Sequence, residues 1–258
     1  MRILDVGCGR GEVVLHCARQ GIHAVGVDFS KEVLSIARAA LDTHTPRERK
    51  LVKFICDDVK NLVTEGPFDR IFMLDVVEHL LDRELNEVLQ HCKGLLKPNG
   101  QLIIHTLPNR WLYEVTYRRL LRLAMPWLPR DPRSERERAI HVNEMSITRL
   151  YKILTSNGFN CRIWLHDMII NQATWHSRKE LPDKRERLYG WVRKPLVAAI
   201  FHFLSRTPLR LLIINDIFAV AVPENNPIFL HKSIRHNRLE NLICRFIAVQ
   251  NKYESRFL

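Results

Sequence analysis

The stretch Ile3-Leu-Asp-Val-Gly-Cys-Gly-Arg-Gly-Glu12 decides how this chain folds. A short apolar run enters Gly7-x-Gly9-x-Gly11 and leaves it on an amphipathic segment, which is the pattern of strand, tight turn and helix. Residues without side chains let a ligand approach the backbone, and the N–H groups of the following helix point at it. A dinucleotide loop has the form G-x-G-x-x-G/A, so its third small residue would fall at position 12, where this chain has Glu12. A carboxylate there repels a pyrophosphate and tolerates a cation. Asp5, on the same strand, adds a second negative charge to the rim. Asp28 ends the next strand, where a carboxylate can accept two hydrogen bonds from a ribose diol. S-adenosylmethionine offers an ammonium, a sulfonium and a ribose, with no phosphate, and meets these demands.

Outward from the loop, apolar runs alternate with amphipathic ones, as in strands joined by crossover helices. Strands are expected at Arg2–Val6, His23–Val27, Val52–Cys56, Arg70–Leu74 and Gln101–Thr106. Helices are expected at Glu12–Gln20, at Lys31–Leu41 with Ser30 as N-cap, and at Arg83–Leu96, closed by Lys97-Pro98-Asn99-Gly100. From Pro108 to Ala139 the rhythm breaks into arginines and aromatic residues, and Pro126, Pro129 and Pro132 forbid one continuous helix. Periodicity returns in a helix at Ser146–Asn157, strands at Asn160–Asp167 and Ile213–Val222, and a basic helix between Arg187 and Ser205. The fold class is α/β: a Rossmann-like, mostly parallel sheet of about seven strands with helices on both faces. Residues 1–107 form the ligand-binding core, 108–145 an inserted basic and aromatic lid, 146–222 the rest of the core and 223–258 a basic tail.

The sequence resembles the class I S-adenosylmethionine-dependent methyltransferases, in particular the small-molecule branch that includes the ubiquinone O-methyltransferases. The matching pieces are ILDVGCGRGE, VGVDFS (Val25–Ser30), FICDDVKNL (Phe54–Leu62), FDRIFMLDVVEHL (Phe68–Leu80) and LLKPNGQLIIHTLPN (Leu95–Asn109), in family order over about 110 residues. HVNEMSITRLYKILTSNGF (His141–Phe159) is similar to the segment entering the family's sixth strand. The resemblance implies that Gly7, Gly9 and Gly11 approach the methionine part, Asp28 holds the ribose, and Phe29 flanks the adenine. It further implies that Asp58 and the Val59 backbone read the adenine edge, that Leu74 lines the pocket, and that the last strand is antiparallel. Relatives carry a helical segment ahead of the first strand, whereas only Met1 and Arg2 precede Ile3 here, so a shortened form is expected.

A methyl on a sulfonium is already activated, so the protein must align a nucleophile and, for a hydroxyl, help remove its proton. The best cluster is Asp75-Val-Val-Glu78-His79 after the fourth strand, with His79 as general base beside Glu78. The Asp-x-x-Glu-His spacing also resembles the Glu-x-x-Glu-His metal motif of the ubiquinone and small-RNA methyltransferases. That alternative makes Asp75, Glu78, His79 and His141 ligands of Mg²⁺. His105 is expected to be structural.

Forty Lys and Arg against 28 Asp and Glu give a formal net charge of +12, which favours an anionic partner. Arg118, Arg119 and Arg122 at helical spacing among aromatic residues, a theme repeated over Trp191–Leu204, suit an anionic membrane surface and a lipid-like or other small-molecule acceptor. Nucleic acid is the lesser partner, since no RNA-binding module accompanies the basic residues. An RNA methyltransferase and a non-catalytic methyltransferase-like binding protein are the alternatives to small-molecule O-methylation. The six cysteines include no Cys-x-x-Cys pair, and no apolar run reaches about 18 residues, so a cytoplasmic protein, peripheral on a membrane, is expected.

Overall fold

A computed structural model of the protein describes residues 1–61, 66–124, 126–127, 130–131, 133–166 and 195–226. Seven strands form one sheet: β1 (Arg2–Val6), β2 (His23–Asp28), β3 (Val52–Cys56), β4 (Phe68–Leu74), β5 (Leu96–Thr106), β6 (Phe159–His166) and β7 (Asp216–Pro223). Their order is β3-β2-β1-β4-β5-β7-β6. The first five pair in parallel, and β7 runs antiparallel to both β5 and β6. The strand order reverses between β1 and β4, and in open parallel sheets ligands bind at the carboxyl ends beside that point.

Both faces of the sheet are covered, so the central strand β1 is buried continuously from Ile3 to Val6 rather than on alternate residues. Ile3 and Leu4 show the consequence: neighbours on β1, they point to opposite faces and belong to two separate core clusters. One cluster gathers Leu4, Phe68, Ile71, Met73, Leu102 and Ile104 beneath α4 (Asp82–Leu95), which buries Leu85, Val88, Leu89 and Cys92 at helical spacing. The other packs Ile3, Cys8 and Ala24 against α1 (Glu12–Arg19) and α2 (Lys31–Asp42). Ser30 caps α2 by accepting from the Val33 N–H at 3.2 Å, as its sequence predicts. A short α3 (Pro46–Arg49), opened by a Thr45–Glu48 capping box, was not expected.

Three differences from the sequence reading have local causes. Leu96 does not end a helix but pairs with Phe68 as the start of β5; after a register shift, Gln101 resumes opposite Arg70, so Lys97–Gly100 is an irregularity inside the strand. The insert begins as a π-helix, Leu112–Leu121, continued by α5 (Arg122–Ala124) and, after a turn, by α6 (Glu135–Ile140). Bonding from i to i+5 changes which residues share a face: Arg118 and Arg119 are exposed, Arg122 half-buried. The expected basic helix is an apolar one where it is described: α8 (Pro195–Leu204) reads PLVAAIFHFL, without lysine or arginine. Residues 187–194 and most of the expected tail, 227–258, lie outside the described residues, as do Pro129 and Pro132. After α7 (Ile147–Ser156), capped by Ser146, and β6, the chain returns through α8 and α9 (Arg210–Ile213) into β7. No helix among the described residues is long and apolar enough to cross a membrane.

Candidate active site

The loop after β1 is built as its glycines require. Gly7, Gly9 and Gly11 have φ of 69°, 53° and 79°, a region that other residues avoid. A Cβ on Gly7 would lie 2.6 Å from Val76 and one on Gly11 2.6 Å from Phe54, whereas one on Gly9 would meet nothing within 4 Å. Gly7 and Gly11 are therefore glycine for packing; Gly9 faces open space, where a ligand can reach the backbone. Asp28 fastens this loop to β2, accepting from Gly9 N–H at 2.9 Å through one oxygen and from Ser30 N–H at 2.9 Å through the other. Each oxygen keeps a second lone pair for a hydroxyl.

Behind the loop, Asp5 is buried, and its pKa is pushed up to about 7 by burial first and then by Glu12 and Asp28. Three carboxylates converge on one glycine turn; Glu12 pairs with the exposed Arg10 at 2.9 Å, whereas Asp5 and Asp28 meet no cation among the described residues, a field that suits a positively charged ligand. Phe29 stands beside Asp28 and is 83% exposed, so it is not part of the core. Asp58 caps the short turn Val59–Asn61 by accepting from the Lys60 N–H at 2.9 Å, and its other oxygen lies 3.3 Å from the Lys60 ammonium. Val59 and Leu74 are half-buried, Leu74 as the last residue of β4.

Across the switch point, the segment after β4 carries two separate groups. Glu78 is buried, accepts from the Thr106 hydroxyl at 2.8 Å, and through its backbone carbonyl accepts from the Asn143 N–H at 3.0 Å. Burial pushes the Glu78 carboxyl up. His79 Nδ1 lies 2.8 Å from the Ile140 carbonyl. A carbonyl only accepts, so Nδ1 carries the proton and Nε2 of the neutral ring is left as the basic atom. His141 stands against it, ring centroids 5.1 Å apart, with its pKa lowered by burial and then by His79. One ligand-type atom each from Glu78, His79 and His141 fall within 4.8 Å of one another.

Asp75 does not join them. Its backbone is left-handed, φ 57°, and its carboxylate meets His105 Nδ1 at 2.6 Å. The other ring nitrogen of His105 lies 3.2 Å from Asp216 at the start of β7. The His105 side chain is 13% exposed; burial opposes its charged form, yet the bonds from Asp216 and Asp75 outweigh it and hold the pKa up at about 9. The expectation of Asp75 as a metal ligand is thus corrected: the carboxylate is engaged elsewhere, by a histidine that reading took as structural.

A sequence model of the methyltransferase domain family matches residues 1–162. The chain belongs to that family. Among curated relatives of this methyltransferase domain, the ubiquinone biosynthesis O-methyltransferase of Bradyrhizobium diazoefficiens is 32% identical over 130 residues, 50% of this chain and 49% of that one. The chain spans about half the length of the curated relatives it matches. Of solved structures, Haemonchus contortus phosphoethanolamine N-methyltransferase 2, determined with phosphomonomethylethanolamine and S-adenosylhomocysteine, superposes with a TM-score of 0.57 at 18% identity. It covers 86% of this chain and 48% of that one. A Pyrococcus horikoshii OT3 protein gives 0.52 at 20% identity, covering 86% and 81%. At such identities the likeness establishes the fold of the methyltransferase domain.

The fold therefore gathers Asp5, Gly7, Gly9, Gly11, Asp28 and Phe29 around the ends of β1 and β2, and Glu78, His79 and His141 after β4, across the switch point of the sheet. Sequence reasoning missed the engagement of Asp28 by Gly9 and Ser30, and the Asp75–His105–Asp216 chain. It also missed Thr106 as the partner of Glu78. Alternation in HTLPN was the available signal for the last: neighbours on β5, His105 and Thr106 must face opposite sides of the sheet.

Proposed function

We propose that this methyltransferase domain transfers a methyl group from S-adenosylmethionine to an oxygen of a small, lipid-like acceptor. The observation that carries this is the acidic glycine turn: buried Asp5 with Glu12 and Asp28, at the switch point of the sheet. That field disfavours a dinucleotide and favours a cationic nucleoside. Bound there, S-adenosylmethionine supplies a methyl already activated by its sulfonium. Gly9 leaves room for it, the free lone pairs of Asp28 accept from ribose hydroxyls, and Phe29 offers an exposed ring to the adenine. In this reading Asp58 and the Val59 backbone border the adenine edge, and Leu74 the floor beside it.

His79 Nε2 then takes the acceptor's hydroxyl proton, its tautomer fixed by the Ile140 carbonyl. Glu78 holds the segment to β5 through Thr106 and to residue 143 through its backbone. Mg²⁺ does not fit what remains of its expected ligand set. That ion takes oxygen in octahedral array, whereas the trio offers one carboxylate, already bonded to Thr106, and two imidazoles.

A lipid-like acceptor is supported by exposed Leu120, Leu123 and Trp127 on the insert and Leu196, Ile200 and Phe203 on α8. Arg118 and Arg119 stand exposed beside the first group, an arrangement suited to an anionic membrane surface. The test is methyl-labelled S-adenosylmethionine with fractionated cell extract. Label in the organic-soluble fraction, lowered about 10²–10⁴-fold by His79→Ala and indifferent to chelator, is expected. Label only in RNA, or full activity of His79→Ala, would reject it.

A further inference from the structure

The insert and the start of α7 line an open cavity of about 300 Å³ that the cofactor reading does not use. Four arginines line it, Arg110, Arg133, Arg138 and Arg149, with Glu114 and Glu144. Arg133 is structural: it pairs with Asp131 and Glu144 and lies over the Tyr113 ring. The other three keep donors to spare. Arg110 gives Nε to Glu114 at 2.8 Å, leaving its terminal nitrogens. Arg149 bonds Asp82 and Asn143 through one terminal nitrogen, while its Nε is buried with no partner. Arg138 makes no ion pair with a described residue. His141 also lines the cavity, and its Nδ1 is buried without a partner. Four buried side-chain polar atoms among the described residues lack partners, and two of them, Arg149 Nε and His141 Nδ1, belong to this lining. Orphaned polar atoms of this kind are costly and rare in native folds unless something absent satisfies them.

We propose that this cavity seats an oxyanion group, phosphate or carboxylate, carried by the methyl acceptor. The proposal rests on the reading in the preceding subsection and names its substrate class: an anionic acceptor rather than a neutral quinol. An oxyanion offers several acceptor lone pairs in the geometry that guanidinium forks match. Its place follows from His141, which lines this cavity and stands 5.1 Å, ring to ring, from His79. A group held by Arg110, Arg138 and Arg149 is thereby next to the base, so anchoring the anion orients the hydroxyl to be methylated. The insert then acts as the substrate segment, with α7 as its back wall.

The test uses the full chain and two double variants of equal charge loss: Arg110→Gln with Arg138→Gln in the cavity, and Arg47→Gln with Arg49→Gln on the exposed surface of α3. Inorganic phosphate and benzoate are titrated by calorimetry, and phosphatidylglycerol vesicles are sedimented with each protein. Saturable binding of a free oxyanion, weakened at least about tenfold in the cavity variant and unchanged in the surface variant, supports a soluble anionic acceptor. Loss of vesicle binding in the cavity variant alone supports the same seat with a lipid headgroup as its source. Absence of saturable binding with all three probes, or equal loss in both variants, overturns the proposal. S-adenosylmethionine binding is read on the same preparations: if the parent binds it while the oxyanion results fail, the inference alone falls. If the parent does not bind it, the functional reading falls as well.

Discussion

Asp5 is the most informative position to perturb, because its burial is unfavourable for the free protein and useful for a cationic ligand. Raising its pKa from 3.8 to about 7 penalises the charged form by about 4 kcal/mol. A carboxyl with a raised folded pKa lowers stability as pH climbs, beginning near its unfolded value and reaching the full penalty above about 7. A cation bound beside it needs the carboxylate, so binding releases the proton that Asp5 holds at lower pH. With half-ionisation near 7, affinity for S-adenosylmethionine should rise about 20-fold between roughly pH 5.5 and 7.5. Below that midpoint each binding event should release close to one proton, measurable by calorimetry in buffers of different ionisation enthalpy. Asp5→Asn keeps the shape and removes the charge. It should flatten this pH dependence and weaken binding at pH 7.5. It should also raise the melting temperature of the free chain at pH 8, since the amide's unpaired N–H costs only about 1–3 kcal/mol. Parallel pH slopes in parent and variant, or a variant less stable at pH 8, would refute the reasoning.

Gly9→Ala and Gly11→Ala should separate function from fold. The first places its methyl in open space, so it should fold with a loss of about 1–2 kcal/mol from its left-handed backbone and lose ligand affinity. The second drives a methyl to within 2.6 Å of Phe54 and should lose a further 1–3 kcal/mol, roughly, from overpacking; denaturant melts and ligand titration of both distinguish them. The His105 clamp contributes stability that is fully present below about pH 6.5 and is lost as pH rises through about 9, at most about 3 kcal/mol. Asp216→Asn should therefore lower the melting temperature more at pH 6.5 than at pH 10, and an equal drop at both would count against the clamp.

The glycine turn was legible because it is local. Apolar run, glycines and Glu12 lie within ten residues of one another, and each turn glycine has the positive φ that its type suggests. Ser30 and Ser146 were readable as caps, and only Ser30 was read so. The segment after β4 is assembled from afar, and there spacing misled. Asp75, Glu78 and His79 share helical spacing, but the segment is a short 3₁₀ turn, Val77–His79, preceded by a left-handed residue. That backbone sends Asp75 to His105, which Asp216 reaches from 111 positions along the chain. The arginine cavity was hidden for the same reason: Arg110, Arg133, Arg138 and Arg149 follow no period, and an irregular insert brings the first three against Arg149 on α7.

The central claim is that the glycine turn after β1 holds a cationic nucleoside rather than a dinucleotide. Calorimetric titration of the full chain with S-adenosylmethionine, S-adenosylhomocysteine and NAD, at pH 7.5, tests it most directly. The account predicts saturable binding of the first two at one site, weakened by Asp28→Ala in a variant that remains folded, and no competition from NAD. Preferential binding of NAD, or no saturable binding of S-adenosylmethionine, would contradict it.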